Sequence, residues 1–428
     1  MNRARKEAPN SLRELVGRLQ SGETSPTRVA AEALDRIDRT DSVIRAWEHI
    51  DAELVLAEAH SIEGTRSGPL WGVPLAVKDL IDVAGMPTRC GSELRSDRKA
   101  ATADAVCVAR ARAVGAVPLG KTVTTEFGYF RPGPTRNPHA LDHTPGGSSS
   151  GSAAAVAAGM VPFALGTQTA GSLTRPASYC GVAGFVTAKN AIPLDGVTGL
   201  SPSLDSLGLL AATVADLHFA WTALRHGAST DPVSARTAPR PLWVWSGAEL
   251  GQLSSEMAAA LHSTAAAVQA AGGMCRELRA SDDIVALAHH HHTVMAYEAV
   301  RERAGEAAQP ERISSALAEL FDAGAATSVT EYRRALDAIT DIRERMLSIL
   351  DQVGMILGPA ALGSAPRGIA ATGSPVLSRP WQAMGFPVVT IPGNRDSSGL
   401  PLGLQLIARP GAENELFAGA LWIEQLLC

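Results

Sequence analysis

The chain has 428 residues, with 38 basic and 43 acidic side chains for a net charge of −5, and 46% of it is apolar. That length allows one large domain or two to three ordinary ones with an ample core, and the mildly acidic balance excludes a broad basic surface for nucleic acid. Five cysteines, Cys90, Cys107, Cys180, Cys275 and Cys428, are odd in number, widely spaced and without a C-x-x-C pair, so they are expected as reduced thiols of a cytoplasmic protein.

The polar residues 1–7 have no apolar stretch behind them, so neither a secretion signal nor a membrane span is expected. Ser11 and Ser25 each precede an amphipathic pattern, the second with Pro26 in its first turn, and both read as helix caps. From about residue 68 to 225 short apolar strands alternate with helices, an α/β pattern. Within it Val73-Pro74-Leu75-Ala76-Val77 reads as a strand entering the core, with Lys78 and Asp79 directly behind it. Residues 253–350 have helical periodicity and much alanine, and are expected as a helical cover over one side of the site. Residues 353–357 and 387–392 return to strand-like composition. No internal repeat is visible.

Three positions carry the chemistry: Lys78, Ser148 in Gly146-Gly147-Ser148-Ser149-Ser150-Gly151-Ser152, and Ser172 in Gly166-Thr167-Gln168-Thr169-Ala170-Gly171-Ser172. A serine hydroxyl is a poor nucleophile until a base takes its proton, and an acyl-enzyme also needs backbone N–H donors where the oxyanion forms. Thr169, Ala170, Gly171 and Ser172 have little bulk, so their amides can converge on one point as an oxyanion hole. A lysine serves as the base only if burial or a positive neighbour holds its pKa well below ~10.4. Just five lysines occur, Lys6, Lys78, Lys99, Lys121 and Lys189, so one behind an apolar strand is unusual. Singly, each feature has a blander account. The Gly/Ser/Ala run at 146–159 could be a linker, and Lys78 could form a structural ion pair with Asp79 or Asp82. The helix-forming Ala153 to Ala158 and the apolar run Val161 to Leu165 speak against a linker.

Two matches by letter fail on context. Gly115 to Thr122 satisfies G-x-x-x-x-G-K-[ST], but its order of helix, strand, turn is the wrong one for a phosphate loop. Gly147 to Gly151 satisfies G-x-S-x-G, yet the preceding residues 135–145 form a loop with two prolines where a nucleophile elbow needs a strand. His289-His290-His291-His292 point four ways on a helix expected from Leu287 to Val300, so surface histidines are the expectation there and no metal site.

The run from Thr144 to Gly184 resembles the Gly/Ser-rich signature of the amidase signature family. Gly72 to Asp79 resembles that family's lysine strand, Gly120 to Phe127 its next strand and turn, and Gly403 to Gly411 its C-terminal strand. The resemblance implies an α/β fold with a large mixed β-sheet core flanked by helices on both faces, as a single domain over 1–428 with a helical insertion at about 253–350. It implies Ser172 as nucleophile, Ser148 on a cis peptide as proton relay and Lys78 as base, with the two serines 24 residues apart as in the family pattern. Gln168, Ala170 and Leu173-Thr174-Arg175 read as subgroup marks. Val186-Thr187-Ala188, where Lys-Pro-Thr is usual, puts substrate fit or turnover rate in question. The implied activity is hydrolysis of a small-molecule carboxamide with no metal or organic cofactor, no nucleic-acid or membrane partner, and a possible homodimer. Acyl transfer from the same intermediate, or a binding protein of this fold without turnover, are the alternatives. Pocket walls are expected from Tyr129-Phe130-Arg131-Pro132, the segment around Trp381 and residues 289–300.

Overall fold

The computed structural model describes residues 11–226 and 241–427. The polar start at residues 1–7 and Cys428 lie outside the described residues. Ser11 caps α1 (Leu12–Ser21), accepting from Glu14 N while the Glu14 carboxylate accepts from Ser11 N, and Ser25 caps α2 (Pro26–Ile44). The strands are β1 (Trp47–Ile50), β2 (Pro74–Lys78), β3 (Val117–Thr122), β4 (Phe163–Gln168), β5 (Ala183–Val186), β6 (Ser206–Ala211), β7 (Leu242–Val244), β8 (Cys275–Glu277), β9 (Met355–Pro359), β10 (Val388–Arg395) and β11 (Pro401–Ala408). They form one eleven-stranded sheet in the order β1-β3-β2-β4-β6-β5-β10-β11-β9-β7-β8.

The sheet is mixed. β2 runs parallel to β3 and β4, β7 runs parallel to β8 and β9, and the centre from β4 through β6, β5, β10 and β11 to β9 is antiparallel. Every residue of β2, β3, β4, β5, β6, β9 and β11 is buried. Burial without alternation requires cover on both faces, and the helices supply it. In the first half these are α3 (Ala52–Ser61), α4 (Val106–Ala113), α5 (Ser150–Ala157), α6 (Thr174–Cys180) and α7 (Val214–His226). The large mixed sheet flanked by helices is therefore as expected.

The Gly/Ser/Ala run is packed structure. α5 lies so close to its neighbours that a Cβ on Gly151 would stand 2.2 Å from Ala46 O and 2.5 Å from Val123 N. Its serines bond to strand backbone, Ser150 Oγ donating to Val123 O at 3.1 Å and Ser152 Oγ to Leu165 O at 3.0 Å. Residues 253–350 hold α8 (Ser255–Ala270), α9 (Ser281–Glu302), α10 (Ala304–Ala307), α11 (Ser315–Ala326) and most of α12 (Val329–Val353). They also hold β8, an edge strand where only helix was expected. Cys275-Arg276-Glu277 has no apolar alternation to announce it, because an edge strand is held by backbone pairing along one side. The helices α13 (Arg379–Ala383) and α14 (Glu413–Leu427) complete the chain. No helix among the described residues is long and apolar enough to cross a membrane.

Candidate active site

Lys78 ends β2 and Gln168 ends β4, and the two strands are parallel with Val77 opposite Leu165. The loop leaving β4 therefore starts beside Lys78, at the carboxyl ends of parallel strands where α/β folds place their sites. Lys78 is fully buried, and its Nζ lies 2.7 Å from Ser148 Oγ, 2.8 Å from Thr167 Oγ1 and 3.4 Å from Thr167 O. Burial pushes the Lys78 amine down to about 7, against a smaller upward pull from Asp205.

Asp79 is not its partner. Neighbouring residues on a strand point to opposite sides, and Asp79 pairs with Lys121 of β3 at 2.9 Å, both side chains at most 1% exposed. Lys121 Nζ also donates to Thr88 Oγ1 at 2.7 Å and to Pro87 O at 3.2 Å. Burial raises the Asp79 carboxyl while Lys121 holds it down. Replacing Asp79 by Ala would strand the Lys121 charge in the core, so Asp79→Ala is expected to lose ~3–5 kcal/mol of stability, read by denaturant titration. A loss below ~1 kcal/mol would show that the pair carries little of the fold.

Ser148 follows a cis Gly147–Ser148 peptide bond. Gly146 before it has φ +82°, a left-handed conformation that favours glycine, and a Cβ on Gly147 would stand 2.8 Å from Thr372 Cγ2. Arg175 of α6 fixes this turn from below, its Nη2 donating to Gly147 O at 2.6 Å and to Thr372 Oγ1 at 3.2 Å. Ser149 is fully buried with its Oγ donating to Thr167 O at 3.3 Å, which leaves no exposed hydroxyl for the elbow motif. The lysine of the phosphate-loop match is the buried Lys121, committed to Asp79.

Ser172 lies in the loop between β4 and α6, 8% exposed, and lines the same cleft as Ser148. Ser149 N donates to Ser172 O at 3.0 Å and ties the two serine segments together. Among the described residues no hydrogen bond joins Ser172 Oγ to Ser148 Oγ. The amides of Thr169, Ala170, Gly171 and Ser172 donate to no acceptor among the described residues, whereas the next two, Leu173 N and Thr174 N, are held by Gln168 Oε1 at 2.9 and 3.0 Å. Gln168 is held in turn by Gln382, to which its Nε2 donates at 3.1 Å. The subgroup mark thus has a structural use, splinting the end of the loop while four amides stay free beside the cleft.

Two further groups grip Thr169. Its Oγ1 donates to Asp205 Oδ1, and Asp205 Oδ2 accepts from Leu200 N at 2.8 Å and Ser201 N at 2.9 Å. From α9, His291 Nε2 donates to Thr169 O at 2.8 Å. A carbonyl can only accept, so the ring carries its proton on Nε2, and buried Nδ1 is left without a partner. Burial pushes the His291 ring down to about 3. The expectation of surface histidines fails here. His291 is fully buried, because Ile284, Leu287, His291, Val294, Met295 and Glu298 share the inward stripe of α9. That stripe was the signal that could have found it.

The cleft has a volume of ≈ 370 Å³ with its open mouth included. Tyr129, Phe130, Leu200 and Met295 form apolar walls, with Arg175 and Arg379 at its border. Of the expected wall residues, Arg131 turns away to Glu93 at 3.1 Å, and Trp381 is fully buried against Trp245. Val186-Thr187-Ala188 does not line the cleft; Val186 ends β5, and Thr187 is bound through N and Oγ1 to Leu207 O. No group of three or more His, Cys, Asp or Glu among the described residues is placed to hold a metal ion.

Residues 28–417 match the sequence profile of the family described as Amidase. The AtzE subunit of 1-carboxybiuret hydrolase from Pseudomonas sp. (strain ADP) is 32% identical, covering 94% of this chain and 95% of its own length. A glutamyl-tRNA(Gln) amidotransferase subunit of Moorella thermoacetica is 30% identical, covering 96% of this chain and 95% of its own. A solved amidase structure superposes with a TM-score of 0.87 at 28% identity, over 97% of this chain and 99% of that one.

Proposed function

The chain belongs to the amidase signature family, and from that membership we infer that it is an amidase cleaving the C–N bond of a small-molecule carboxamide through an acyl-enzyme on Ser172. The single observation that carries this reading is a buried Lys78, in no ion pair among the described residues, with its Nζ 2.7 Å from Ser148 Oγ, and Ser148 and Ser172 on one cleft. Lys78, whose neutral form is well populated near pH 7, takes the Ser148 proton as Ser148 takes that of Ser172, and Ser172 Oγ attacks the carbonyl carbon. The free amides of Thr169, Ala170, Gly171 and Ser172 receive the oxyanion. The ammonium of Lys78 then returns a proton through Ser148 to the departing nitrogen, and water releases the acid by the same relay. No step calls for a metal or an organic cofactor.

In the same reading the chain is one domain, with residues 253–350 as a helical cover that reaches the site through α9. Cys90, Cys107, Cys180 and Cys275 are free thiols, which suits a cytoplasmic location. A fluorophosphonate probe is expected to label the protein once, on a peptide containing Ser172. Labelling that persists in Ser172→Ala would rule out the assignment. Passage of the acyl group to an amine would make a transferase of the same intermediate, and release of free acid with no acceptor present decides for hydrolysis.

A further inference from the structure

In a trans peptide the C=O of one residue and the N–H of the next point opposite ways, so whatever holds a carbonyl also aims the following amide. Gly147–Ser148 is the one cis bond among the described residues, so the loop after β4 obeys this rule. Gln168 O accepts from Gln382 Nε2 at 3.1 Å and Gly171 O from Arg175 N at 3.2 Å, which fixes the amides of Thr169 and Ser172. Thr169 O accepts from no backbone N–H among the described residues; it is held by His291 Nε2 at 2.8 Å, from a helix 122 residues further along the chain. Ala170 lines the cleft, and the direction of its N–H therefore depends on one side chain of the helical cover.

The second grip on Thr169 leads back to the same helix. Asp205, which accepts from Thr169 Oγ1, sits at the end of the loop 200–205, and Glu298 of α9 fastens that loop. Glu298 is 8% exposed and accepts from Ser201 Oγ at 2.6 Å, Ser203 N at 2.9 Å, Ser203 Oγ and, from α12, Tyr332 OH at 2.7 Å. His291 and Glu298 are seven residues apart, two helical turns, and so face the same side. Leu287, Val294 and Met295 show what packing alone calls for on that side, and a buried imidazole and carboxylate cost desolvation that a leucine would avoid. We propose that α9 aims the oxyanion hole: His291 is a positioning residue that directs Ala170 N–H through Thr169 O, and Glu298 is a second one that steadies Thr169 through the loop 200–205. This rests on the acyl-enzyme reading, which places the oxyanion at the amides of 169–172.

The rate of fluorophosphonate labelling reads that aim, because the phosphonyl oxygen takes the oxyanion's place as Ser172 Oγ displaces fluoride. His291→Gln keeps an N–H within reach of Thr169 O, His291→Asn falls short of it, and His291→Leu fits the apolar stripe without a donor. The second-order labelling rate is expected to fall by about 10- to 100-fold in the Asn and Leu variants and to stay within about 5-fold of wild type in Gln; a donor removed outright is worth ~10²–10³, and a misaimed one still contributes. On a carboxamide that turns over, kcat should follow the same order with KM changed by less than about 3-fold. Glu298→Gln sets an amide NH2 among four donors and is expected to slow labelling by about 3- to 10-fold. An unchanged rate in His291→Leu overturns the proposal, as does an equal fall in Gln and Leu. So does a fall that only tracks the folded fraction read from thermal melts, which would make His291 a packing residue. A wild type that takes no label on Ser172 brings down the acyl-enzyme reading first, and the proposal with it.

Discussion

Ser172→Ala is expected to lower kcat by about 10⁴- to 10⁶-fold while leaving the thermal midpoint unchanged. The substitution deletes one oxygen that makes no hydrogen bond among the described residues and faces the cleft, so it opens no cavity in the core and strands no polar partner. It leaves the amides of residues 169–172 and the Gln168 splint in place, so substrate binding and a small residual rate should survive. Ser149→Ala is the matching control. Ser149 Oγ is spent on Thr167 O, away from the cleft, and its loss should change kcat by less than about 10-fold with a stability cost of ~1 kcal/mol. Progress curves on a single carboxamide, with both variants and wild type at equal concentration, check the pair. Equal losses in the two variants would show that Ser172 acts through the fold and not as the attacking group.

The contrast between these serines shows how far the sequence could be read. Lys78 was legible because a charged residue behind five apolar ones is anomalous, and the glycines at 146, 147 and 151 because no side chain fits where they sit. The direction of each side chain was less legible. Asp79 looked like a partner for Lys78 by adjacency, but strand alternation sends it to Lys121. His291 looked like one of four surface rings until its helical stripe is counted. The segment around Trp381 was expected at the site, but nothing in the letters singled out Arg379 or Gln382 within it. They reach the site from a segment some two hundred residues away in sequence, and only the sheet order, which seats β10 beside β5, brings that segment to the loop after β4. Cleft composition is a property of tertiary neighbours, so the pairing of Arg175 with Arg379 at its border has no counterpart in any local run of letters.

The largest test of the proton relay is the pH dependence it imposes. The competent form of Lys78 is the neutral amine, and burial sets its titration at about 7, so kcat/KM should climb as pH rises through 7. By pH 5 only about one molecule in a hundred holds the amine uncharged, and the rate should fall by about 100-fold. The same shift has a stability signature of fixed sign. Between about 7 and the ordinary lysine value of 10.5 the unfolded chain holds the proton and the native chain does not, so the fold gains stability as pH rises across that window. Lys78→Met keeps the length and apolar character of the stem while removing the base. It is expected to cost about 10²- to 10⁴-fold in kcat/KM. It should also flatten the acid limb of the residual activity and abolish the stability gain between pH 7 and 10.5. A base elsewhere would leave the acid limb in place in Lys78→Met, and a charged Lys78 in the native protein would leave no limb near 7 in the wild type. Either result would take the lysine out of the mechanism, whatever the size of the rate loss.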